Sequence, residues 1–69
     1  MITYNRLWET MKKKGISTYY LRYKEKIGGG TMQRLQKGEI VSTSTLNMLC
    51  KILRCNLSDI AEYIDDIDS

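Results

Sequence analysis

The chain has 69 residues, with eleven Lys and Arg, eight Asp and Glu, two cysteines, no histidine and no proline. That length supports one small domain, and 42% apolar residues without proline fit a compact helical protein rather than a disordered tail. No apolar run approaches the ~18 residues of a membrane span and no signal peptide is evident, so a cytoplasmic protein with no membrane partner is expected.

Charge is unevenly distributed. All eleven bases lie within residues 1–54, beside only Glu9, Glu25 and Glu39, a net +8. Residues 55–69 hold five acids and no base, a net −5. A basic body attracts phosphates through a salt-sensitive, sequence-independent force. The plainer alternative is a small domain that lysines merely keep soluble. Without histidine the commonest general base is missing, and no nucleophile has an activating partner, so no catalytic residue and no enzyme activity are expected. Cys50 and Cys55 lack further zinc-type ligands, so neither a metal nor a cofactor is expected. They straddle the end of an expected helix, where a disulfide is awkward in geometry, and read as small buried hydrophobes.

In chain order, Tyr4, Leu7, Trp8 and Met11 repeat at helical spacing. Lys12, Lys13 and Lys14 suit the negative end of that first helix, and Gly15 stops it. Ser17 is placed to cap a second helix over 18–25, in which Leu21 is the safest core residue. Tyr19, Tyr20 and Tyr23 do not fall on one stripe, so at least one should face out. Gly28, Gly29 and Gly30 lack the preceding strand and the Lys-Ser/Thr pair of a phosphate-cradling loop, and read as a tight turn. A short third helix follows over 30–37, with Met32 and Leu35 inward and Gly38 at its end. Thr43 or Ser42 caps a fourth helix, ending near Arg54, whose apolar face is Leu46, Leu49, Cys50 and Leu53. Asn56 and Asp59 form a capping-box pair for a fifth helix, with Leu57, Ile60 and Ile64 inward. An expected core joins Leu7, Trp8, Met11, Leu21, Ile27 and Met32 to Leu35, Leu46, Leu49, Leu53, Leu57 and Ile60. No pattern argues for a sheet. The expected architecture is all-α, five short helices as one domain over 1–64, with a frayed acidic tail over 65–69.

The order of these segments resembles a known family. A basic first helix leads through Gly15-Ile16-Ser17 to a helix with a central Leu21, then to a short polar helix ending Leu35-Gln36-Lys37-Gly38-Glu39. The chain closes with Thr45-Leu46, Leu53 and Asn56-Leu57-Ser58-Asp59-Ile60. This is similar to the Cro/CI-type, or XRE-family, helix-turn-helix regulators of the small single-domain kind, over roughly residues 4–64. The resemblance implies a phage-repressor-like fold whose helix-turn-helix is formed by the second and third helices. It also implies a homodimer on double-stranded DNA, with the third helix in the major groove. By position, Thr18 would meet a phosphate, and Gly29, Gly30, Thr31, Gln33, Arg34 and Lys37 would face outward. Of these, the positions of Gly29, Gly30 and Arg34 would approach base edges, while Lys37 and Thr43 would lie near phosphates. The Arg34 fork suits guanine O6 and N7, and Gln33 could serve adenine.

Three features, at four positions, depart from that pattern. Arg22 stands where the family keeps a small packing residue, and Lys26 where it often has glycine. Gly29 and Gly30 replace polar base-reading side chains, which points to weak specificity or to reliance on backbone contacts and DNA shape. Two alternatives stand for Arg22. Either the space left at Gly29 and Gly30 admits its stem and lets its guanidinium reach the groove, or a slight rotation of the second helix sends it into solvent. The chief functional alternative is a protein-interaction module of antitoxin or adaptor type that keeps the helix-turn-helix fold. It would engage a basic partner through the acidic carboxy-terminal end.

Overall fold

A computed structural model describes residues 1–65. Helix α1, Asn5–Lys14, forms because Leu7 and Met11 fall one turn apart on a single buried face, with Trp8 half-buried beside them. Gly15 closes it at φ 69°, and the Ile16 amide bonds the Met11 carbonyl at 2.9 Å, which uses a carbonyl that the helix end leaves open.

The second helical segment is shorter and wider than its spacing suggests. The Tyr20 amide donates to Ser17 Oγ at 3.1 Å, so Ser17 caps the segment as expected. After one ordinary helical turn the backbone widens into a π-helical turn, Tyr20–Lys24. There the Glu25 amide bonds the Tyr20 carbonyl at 3.1 Å and the Ile27 amide reaches back to Leu21 at 2.9 Å. Leu21 is fully enclosed, while all three tyrosines face solvent. Lys26 then turns the chain at φ 59°, a left-handed conformation that favours glycine.

Helix α2, Gly29–Lys37, follows with Met32 and Leu35 buried, and Gly38 ends it at φ 74°. Helix α3, Thr43–Leu53, is capped by Ser42, whose Oγ accepts from the Thr45 amide at 3.2 Å; Thr43 is the first helical residue. Leu49 and Leu53 are buried in α3, and Leu46, Cys50 and Ile52 pack half-buried against them.

The expected fifth helix is instead a single 3-10 turn, Leu57–Asp59. Its capping box is present, with the Asn56 amide donating to Asp59 Oδ2 at 2.9 Å. The chain then leaves helical geometry at Ile60 and forms a two-residue strand β2, Glu62–Tyr63. This pairs antiparallel with β1, Ile2–Thr3, in the register Ile2↔Tyr63 and Thr3↔Glu62. The amides and carbonyls of the first residues supply partners that a continued helix would have found within itself. Arg6 fastens the same junction, donating to Glu62 at 2.6 Å and to the Ser58 carbonyl at 3.2 Å. As a result Ile60 is buried, but Leu57 is 54% exposed and Ile64 43% exposed, so neither forms an inner helical face.

The core joins Tyr4, Leu7 and Met11 to Leu21, Ile27, Met32, Leu35, Leu49, Leu53 and Ile60. Trp8 and Leu46 sit at its edge instead of inside it, and Tyr4, outside the expected core, is buried. Cys50 and Cys55 are half-buried free thiols that pack against this core. Among the described residues no helix is long and apolar enough to cross a membrane. The acidic tail, apart from Asp65, lies outside the described residues.

Candidate nucleic-acid interface

The candidate surface is set by three local devices. Ser17 fixes the start of the second segment, the π-helical turn swings Arg22 toward α2, and the buried pair Met32 and Leu35 fixes which side of α2 faces out. Between the second segment and α2 lies an open cleft of about 430 Å³. Thr18, Arg22, Gly29, Gly30 and Gln33 line it. Five of the nine residues expected from the sequence therefore meet in one place.

The others stand apart from that cleft. Arg34 and Lys37 are exposed on α2, spaced four and seven residues from Gly30, and form a second stripe beside the first. Thr31 is half-buried, so it contributes less outward surface than its position implied. Thr43 is exposed at the amino-terminal end of α3.

Two contributors were missed. Gln36 lines the cleft three residues after Gln33 and seven after Gly29, so helical spacing alone would have found it. The other is the Tyr19–Tyr23 pair. Their rings lie 4.7 Å apart between centroids, and the Arg22 guanidinium carbon sits 5.4 Å from the Tyr23 centroid, within cation–π range.

The electrostatics favour an anionic ligand. Arg22, Lys24, Lys26, Arg34 and Lys37 are all exposed across these two segments. Glu25 pushes the neighbouring Tyr20 phenol up from its ordinary value, through hydrogen bonding first and its negative charge second. The carboxy-terminal acids are also partly occupied, Asp59 by its cap and Glu62 by Arg6. Burial chiefly pushes the Cys55 thiol up, assisted by the neighbouring Cys50 and Asp59, which keeps it in the protonated, unreactive form.

The model of the Cro/C1-type HTH DNA-binding domain matches residues 6–66. The chain belongs to that helix-turn-helix family. Family membership makes this a helix-turn-helix DNA-binding domain. Among solved structures, the chain is similar to the transcriptional regulator VanUg in its form II crystal. The two share 29% identity and superpose with a TM-score of 0.85, covering 94% of this chain and 87% of that one. No curated protein sequence matches the chain.

Proposed function

We propose that this protein is a transcriptional regulator, specifically a repressor, that binds double-stranded DNA sequence-specifically with α2 in the major groove. It works by occupying its site and not by catalysis, needs no cofactor, and acts in the cytoplasm. The carrying observation is the division of α2 into two faces. Met32 and Leu35 are buried, which fixes the helix, while Gln33, Arg34 and Lys37 point away from the core. Arg34 offers the planar fork that matches two acceptors on guanine, and Lys37 offers a point charge for a phosphate. A homodimer on an inverted repeat is supported by an apolar groove formed by Ile2, Ile40, Val41, Leu46, Leu57 and Ala61. Ile40 there is 90% exposed, and a symmetric partner would cover it.

Binding-site selection from random duplexes, followed by affinity measurements across a salt series, tests the proposal. The expected result is a consensus of two inverted half-sites with log affinity falling steeply against log salt. Lys37→Ala should weaken every duplex alike and reduce the salt slope by about one. A flat salt dependence would refute DNA as the partner.

A further inference from the structure

We propose that Arg22, outside the recognition helix, is the specificity-determining residue at the amino-terminal end of that helix. Glycine at 29 lets the Arg22 guanidinium pack against the start of α2 more closely than a side chain there would comfortably allow. This rests on the DNA binding proposed above and names the group that reads the DNA there.

The geometry around Gly29 is specific. A Cβ built on Gly29 would lie 3.3 Å from each of three guanidinium atoms, Cζ, Nη1 and Nη2. Three equal distances to one planar group place that point on the normal to its plane, so the guanidinium lies flat over Gly29. Gly28 and Gly30 have nothing within 4 Å, so the close approach belongs to Gly29 alone. The Tyr23 ring, itself packed on Tyr19, borders the guanidinium within cation–π range. The plate is thus positioned by stacking, and among the described residues no side chain or carbonyl accepts a hydrogen bond from it. Its donors lie in its own plane and open into the cleft shared with Gln33 and Gln36.

Sequence and backbone explain how it arrives there. A regular helix advances 100° per residue, whereas a π-helical turn takes more residues per turn and changes which of them face a neighbour. Here the widened turn keeps Leu21 in the core and sets the next residue, Arg22, beside the start of α2. A small residue at position 22 with a polar one at 29 would place the reading group on α2. This chain reverses the arrangement and delivers a longer, forked group from the neighbouring segment. An in-plane pair of N–H donors selects a base edge with two adjacent acceptors, which is guanine O6 and N7.

Selection from random duplexes with the native chain, Arg22→Ala, Arg22→Lys, Gly29→Ser and the Arg22→Ala/Gly29→Ser double variant tests this, each variant checked by denaturation to be folded. The native consensus should fix a guanine in each half-site. Arg22→Ala should lose that preference and about 10- to 100-fold in affinity for the selected site, with a much smaller change on scrambled duplex. Arg22→Lys should not restore it, since an ammonium has no fork. Gly29→Ser should displace the guanidinium and lose the same preference, with no added loss in the double variant. Equal loss on all duplexes with rescue by lysine would make Arg22 a phosphate contact and overturn the inference. So would an unchanged consensus in Arg22→Ala or in Gly29→Ser. Failure of the native chain to bind any duplex would instead overturn DNA binding itself.

Discussion

Helix α3 and the π-helical turn at Tyr20–Lys24 both send leucine into the same core, yet they are built differently. In α3 an ordinary serine cap, regular bonding and leucines four residues apart all agree, and the helix runs for eleven residues. The π-helical turn buries only Leu21 and bonds across a widened ring, although a non-glycine residue in left-handed geometry follows each of them, Lys26 here and Arg54 after α3. Agreement among local signals marks the region that holds the fold, and disagreement marks the region that presents cations outward. Conflict of that kind is the pattern expected where function, not stability, sets the residue.

The largest way to break this comparison is through the scaffold. Leu49→Ala should cost about 2–5 kcal/mol, measured by chemical denaturation, because Leu49 is wholly enclosed where α3 meets the rest of the core. A cost near zero would mean that α3 does not hold the fold. Next comes the presenting side: Arg34→Ala should lose roughly 1–3 kcal/mol of binding to the selected duplex, with relaxed preference and unchanged stability. Equal loss on all sequences would reduce Arg34 to a backbone contact. Ser42→Ala should then destabilise by ~1 kcal/mol through loss of the bond to the Thr45 amide. Thermal melting reads that effect, and no change would show the cap to be idle. Smallest of all, Lys26→Gly should raise stability by about 0.5–1 kcal/mol, as left-handed strain is relieved and part of the gain is lost to chain entropy. A destabilised Lys26→Gly variant would show that lysine is held there by contacts and not tolerated under strain.

Much of the scaffold was legible because its signals are local. Gly15, Gly38 and Asn56 stand where the expected helix boundaries placed them, since each boundary depends only on residues within one turn. Residues that the sequence misplaced depended on distant partners. Asn56 and Asp59 announce a helix start, but nothing local ends it at one turn; the stop comes from pairing with residues 2–3. The widened turn left one trace, three tyrosines that would not share a stripe, and that trace names no geometry. At the interface the sequence linked Arg22 to a run of glycines, but only the fold shows that Gly29, not Gly30, lies beneath it. Thr31, outward by its position in the resemblance, is half-buried.

The pairing of β1 with β2 also sets an order of events during synthesis. Strand β1 precedes the three helices and β2 follows them, so the ring they close stays open until nearly all of this domain has been made. Until then Arg6 lacks Glu62 and the Ser58 carbonyl, and the Ile60 that covers the core has not appeared. Helices α1, α2 and α3 can form and collapse on one another in the meantime, because their bonds are local and fast. Until residues 57–63 join them, the three helices would leave an apolar opening where Ile60 belongs, and the pairing of β2 with β1 would seal it.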